Sequence, residues 1–176
     1  MKKAFLLILF FNIFYANAQL NSTATAAIDF KIKNAGINVN GSFTNVKTTV
    51  IFDESHLQSA SLVGIAQANS INTGIALRDR HLKEKEEFFN VKEFPVLNMK
   101  SVTVTKKSNN IYAVSWDLTI KGITKRLNAE LLTKPQNDGL LMTTEFKINR
   151  NDWDIGGNSL FMSDIVAINL KFLLRK

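Results

Sequence analysis

Arg78, Asp79 and His81 fall within four consecutive positions of a 176-residue chain that has only two histidines and no cysteine. The three make a candidate headgroup site, in which a guanidinium and an imidazole can donate hydrogen bonds to a phosphate or to a quinone oxygen. The same three residues also have a purely structural reading. Asp79 caps a helix, Arg78 pairs with an acidic neighbour and His81 makes one local hydrogen bond. Catalytic chemistry finds little support elsewhere. The chain contains no Gly-x-Ser-x-Gly elbow, His-Glu-x-x-His pair, glycine-rich phosphate loop or dinucleotide fingerprint. Without cysteine, a zinc site would have to be assembled from His56, His81 and scattered carboxylates. Asp79 and His81 diverge on a helix, so they make no acid–base pair. The expectation is a protein that is not an enzyme and carries neither metal nor cofactor, other than a bound lipid.

The elements that position these residues are mostly strands. Ile28, Phe30 and Ile32 alternate with Asp29, Lys31 and Lys33, and Val46, Thr48, Val50 and Phe52 share one side of the next run. Tyr112, Val114, Trp116, Leu118 and Ile120 oppose Ala113, Ser115, Asp117, Thr119 and Lys121, the clearest period of two in the chain. Segments 102–106, 111–121 and 124–133 are expected to form a meander, followed by a turn at Pro135–Gly139. Leu140 to Ile148 and Val166 to Leu174 alternate in the same way. Residues 150–164 read as a long polar loop anchored by Trp153, Leu160 and Phe161.

The stretch from Ser70 to Pro95 interrupts the strands. Asn72-Thr73-Gly74 is a turn, Asp79 an N-cap, and the helix is expected to run through Glu87, with Leu82, Phe88 and Phe89 turned inward as a lid. Pro95 belongs at the start of the following strand. About eight antiparallel strands with one short helical insert close readily into a barrel wide enough for side chains or one slim ligand. Phe30, Phe43, Phe52, Phe89, Phe94, Trp116, Leu118 and Phe146 then either fill that barrel or line an apolar cavity for a ligand tail.

The residues around the insert carry a family resemblance. Ser70-Ile71 with Thr73-Gly74, then Arg78-Asp79 with His81-Leu82, then Phe88-Phe89, Val91 and Phe94-Pro95, resemble the signature of the YceI-like family of bacterial envelope proteins. The likeness extends to Asp29–Ile32, Gly41–Phe43, Ile51–Asp53, Leu118–Lys125 and Ile148–Trp153. It implies a lipocalin-like antiparallel barrel enclosing a long isoprenoid-type lipid, with Arg78 and His81 at its mouth. The chain departs from the family at Val96-Leu97-Asn98-Met99, where an aromatic is favoured, and near Asn34–Gly36, where many members carry a histidine.

Met1-Lys2-Lys3, the apolar run from Ala4 to Tyr15 and Ala16-Asn17-Ala18 form the three parts of a secretory signal peptide, with cleavage expected after Ala18. The mature domain, residues 19–176, is expected to be periplasmic or secreted. Loss of Lys2 and Lys3 lowers the formal charge from +7 to +5. The remaining cations are scattered along strands, which disfavours a nucleic-acid partner, and the protein is not expected to be integral to a membrane. Leu132, Leu141, Ile165 and Leu173 lie opposite the main apolar set of their strands and suggest either mutual cover beneath a loop or a homodimer patch. The function expected is sequestration or carriage of one isoprenoid-like (polyprenyl or quinone) or fatty-chain lipid. The alternative is an envelope stress-response or interaction protein whose barrel is solid.

Overall fold

The computed structural model describes Ser22, Thr23 and residues Thr25 to Arg175; residues 1–18, read from sequence as a signal peptide, lie outside the described residues. Eleven strands among these residues form one antiparallel sheet. They are β1 (Ser22–Thr23), β2 (Thr25–Asn34), β3 (Ile37–Phe43), β4 (Val46–Ile51), β5 (Ser61–Gln67), β6 (Ile71–Asn72), β7 (Val96–Ser108), β8 (Ile111–Ile120), β9 (Ile123–Gln136), β10 (Gly139–Asn149) and β11 (Met162–Arg175). The neighbour order is β1-β4-β5-β7-β8-β9-β10-β11-β2-β3-β6.

The two edges of this order meet. β1 and β2 lie along one run of chain, as do β3 and β4, and the two runs form one long hairpin. Ser22 and Thr23 pair with Val50 and Thr49, and Ile28 to Asn34 pair with Phe43 to Ile37, with a register shift of one residue between the two stretches. The other side of β2 pairs with β11 from Thr25 onward, so the sheet curls back on itself. The strand count exceeds the expected eight because these two long runs are each divided and because β6 adds a two-residue pair beside Phe43. At the crossing of β2 and β3, the Phe30 ring lies over Gly41, where a Cβ would come within 2.3 Å of it. Only glycine leaves room for the ring there.

The alternation of the strands sorts them as expected. Tyr112, Val114, Trp116, Leu118 and Ile120 are all buried, while Ala113 between them is exposed. One departure is β9, which runs through Pro135 to Gln136, so the turn is shorter than the sequence suggests. Its pairing with β8 stops at Leu132, and beyond that point the missing proline N–H faces no partner on the β8 side. A second departure is the loop after β10. Trp153 anchors it, 2% exposed with Nε1 donating to Leu118 O at 3.3 Å, but Leu160 and Phe161 are 98% and 71% exposed and anchor nothing. The loop is held from within by Arg150 instead. Of the suggested dimer residues, Leu141 and Leu173 are directly paired across β10 and β11, and Leu132 and Ile165 are exposed.

One end of the interior is solid. Tyr112, Leu131 and Met142 are completely buried there, with Val50 and Leu62 close to it and the Phe52 ring edge-on to Tyr112 at 5.1 Å. The other end is covered by helix α1 (Ala76–Glu84) and the segment after it. Lys121 ties this cover to the barrel: its Nζ donates to Glu86 O at 2.8 Å and Asp154 O at 2.9 Å. No helix among the described residues is long and apolar enough to cross a membrane.

Candidate functional site

Between the solid end and the helical cover lies a cavity of about 200 Å³ that is partly open to solvent. Its walls come from the inward faces of nearly every strand: Ile28, Phe30 and Ile32 on β2, Val46 and Val50 on β4, Trp116, Leu118 and Ile120 on β8, Phe146 and Ile148 on β10, and Val166, Ile168, Leu170 and Phe172 on β11. Leu82, Phe88 and Phe89 close it from above. Phe43 joins wall to cover, with its ring 6.0 Å from Phe30 and edge-on to Phe89 at 5.7 Å. Such a lining offers hydrocarbon contact almost everywhere and polar contact at few places.

Six of the aromatic and aliphatic residues singled out from sequence therefore line one cavity: Phe30, Phe43, Phe89, Trp116, Leu118 and Phe146. Phe52 and Phe94 do not. Phe52 follows the end of β4 and packs on Tyr112 at the solid end, and Phe94, just before Pro95, covers the Lys121–Gly122 turn with its ring edge 3.3 Å from where a Gly122 Cβ would stand.

The insert differs from its sequence reading in where the helix begins and ends. Its N-cap is Ile75, and Asp79 sits inside the first turn. The Asp79 carboxylate turns back to the Asn72-Thr73-Gly74 turn, accepting from Thr73 N at 2.8 Å and from the Thr73 hydroxyl. That hydroxyl accepts in turn from Arg78 Nε at 2.7 Å, while Arg78 Nη2 donates to Thr73 O at 2.8 Å. Asp79 thus fixes Thr73, and Thr73 fixes Arg78. The helix stops at Glu84, short of Glu87, because Lys85 is extended and the chain folds under, with Phe89 N donating to Leu82 O and Val91 N to Lys83 O.

The three candidate headgroup residues do not act alike. Arg78 and Leu82 stand four positions apart, so they share one helical stripe, and both line the cavity. Asp79 and His81 are each rotated by about 80° from the middle of that stripe and lie outside the lining. His81 is half-buried and contributes its carbonyl to the helix end, accepting from Lys85 N. Arg78 uses two of its five N–H groups on Thr73, and the other three have no partner among the described residues.

Arg150 reaches the same cavity wall but is spent. It is 2% exposed, with Nε donating to Ser163 O, Nη1 to Ile155 O and Gly157 O (both 2.7 Å), and Nη2 to Met162 O and Asp164 Oδ1. All five donors are engaged, so its charge organises the loop between β10 and β11 and has no hydrogen left for a ligand. Its place just after an alternating strand is a cue, but no sequence pattern distinguishes a buried arginine from a surface one. Among the described residues the one His–carboxylate contact, His56 Nδ1 to Asp53 Oδ2 at 2.9 Å, is exposed and away from the cavity lining; the hydrogen bond from His56 holds the Asp53 carboxyl below its usual range. Among the described residues no three His, Asp or Glu side chains are grouped to hold a metal ion.

Several known proteins share this architecture. UPF0312 proteins of Yersinia enterocolitica and Yersinia pestis are 36% identical over 115 residues, 64% of this chain, and the match spans 59% of their length. Burkholderia cenocepacia BcnA has a TM-score of 0.78 at 18% identity, covering 84% of this chain and 94% of its own. A Campylobacter jejuni YceI protein has a TM-score of 0.71 at 20% identity, covering 100% and 99%. A polyisoprenoid-binding domain from Saccharophagus degradans has a TM-score of 0.70 at 13% identity, covering 87% and 97%. The family model described as YceI-like domain matches residues 19–174, and the chain belongs to that family.

Proposed function

We propose that the protein binds one isoprenoid-like or fatty-chain lipid inside the barrel and sequesters or carries it without chemical change. The observation that carries this reading is the cavity itself, a hydrocarbon-lined space capped by Leu82, Phe88 and Phe89. Burying a lipid chain there removes apolar surface from water on both sides, at about 25 cal/mol per Å². Arg78 supplies the polar contact, with three unengaged N–H groups suited to a phosphate or carbonyl oxygen. The likeness to a polyisoprenoid-binding domain supports the same ligand class. The reading does not include His81, whose side chain lies off the cavity wall.

The three-part pattern of residues 1–18 supports export, with a mature protein that begins at Gln19 in the periplasm or the medium. Native mass spectrometry of protein isolated from the cell envelope, followed by organic extraction, tests the carrier reading. A mass increment that is lost on extraction and identified as a prenyl or acyl lipid is the expected result. A homogeneous apo mass with no uptake of prenyl lipids or fatty acids overturns it. N-terminal sequencing that begins at Met1 overturns the export reading.

A further inference from the structure

Trp116 lines the cavity and is 3% exposed, yet its indole Nε1 is fully enclosed and has no hydrogen-bond partner among the described residues. The other tryptophan shows the ordinary solution, since Trp153 Nε1 donates to Leu118 O. An enclosed N–H without an acceptor is destabilising, and buried indole groups normally find one. Trp116 also sits deep. Ile120, on the same face of β8, is next to the Lys121–Gly122 turn at the covered end, and Trp116 is four residues further in, roughly 13 Å along the strand.

The surroundings define what could accept from it. The residues paired with Trp116 across the sheet are Ser101 and Leu127, neither of them charged. The Ser101 hydroxyl oxygen already accepts from Leu62 N at 2.9 Å. An anion at this depth would be stripped of water with no cation among the paired neighbours to offset it. A neutral oxygen would satisfy the indole without that penalty.

We propose that Trp116 is a specificity-determining residue whose indole N–H donates to a neutral acceptor oxygen, a carbonyl or hydroxyl, that the lipid carries into the interior. This rests on the carrier reading and narrows it. A lipid whose only oxygens belong to an anionic head at Arg78 leaves Trp116 unsatisfied, whereas a prenylated quinone inserted ring-first places a carbonyl there.

The test compares three probes on the full exported protein: a prenylated benzoquinone, a prenyl monophosphate of equal chain length, and squalene, which has no oxygen. Trp116→Phe is expected to weaken the quinone about five- to tenfold more than it weakens the other two, the size of one neutral hydrogen bond beyond the ring contact that all three probes share. An unchanged quinone affinity, or an equal loss for all three probes, overturns the proposal while the carrier reading stands. Failure of the wild-type protein to bind any of the three overturns both. The indole N–H resonances of unmutated protein supply a readout that does not depend on the variant folding. The Trp116 signal is expected to move downfield with the quinone and not with squalene, with Trp153 as the internal control. Identical Trp116 shifts with both probes overturn the proposal.

Discussion

Arg150→Met is the substitution whose consequence the structure defines most fully. It keeps an unbranched side chain of similar length but removes all five donors. Three bonds to carbonyls are well formed, to Ile155 O and Gly157 O at 2.7 Å and to Ser163 O at 3.1 Å. The contact with Met162 O is 3.4 Å, and the Asp164 carboxylate is 55% exposed, so both add little. At about 1–1.5 kcal/mol for each of the three, the variant is expected to lose about 3–5 kcal/mol of stability. Lysine keeps the charge but not the planar fork, so Arg150→Lys is expected to recover only part of that loss. Urea unfolding followed by tryptophan fluorescence measures both, and hydrogen exchange should show residues 154–164 losing protection before the strands do. A methionine variant within about 1 kcal/mol of the parent would show that the loop is held by something other than this guanidinium.

Three further outcomes follow from the same geometry. Arg78→Ala is expected to weaken a headed lipid by about 1–3 kcal/mol and a plain hydrocarbon hardly at all in a binding titration, since two of the five N–H groups serve Thr73 and the rest have no partner among the described residues; equal losses for both would make Arg78 structural. Leu118→Trp places a larger ring in the wall and is expected to exclude long chains while sparing short ones, which a chain-length series would read directly. Tyr112 is the one tyrosine of residues 19–176, and its pKa is pushed up to about 12 by burial first, with the nearby Glu54 adding to the shift. Its contribution to stability is therefore full below the unfolded value of about 10 and is lost as pH rises through about 12. Absorbance titration should show tyrosinate near pH 12 in native protein and near 10 in denaturant, and a native midpoint at 10 would contradict the buried phenol.

The sequence by itself determined the strands and their faces. A period of two is a local property of the chain, so Tyr112 to Ile120 or Val166 to Leu174 declare their inward residues without reference to any partner. It determined the family too, because the signature around Arg78 is contiguous. What it left open depended on contacts between segments far apart. Phe30 and Phe52 look alike in an alternating strand, yet one lines the cavity and the other packs on Tyr112 at the solid end, because barrel closure sets which level of each strand is filled. Asp79 reads as an N-cap by residue type, but the Asn72-Thr73-Gly74 turn brings Thr73 within its reach and redirects it. Leu160 and Phe161 read as anchors by hydrophobicity and are exposed, since Arg150 gathers the carbonyls of the loop instead. Whether the barrel was hollow could not be read locally at all. A cavity is a mismatch between the volume enclosed by the whole sheet and the side chains that enter it, and only the folded arrangement fixes both.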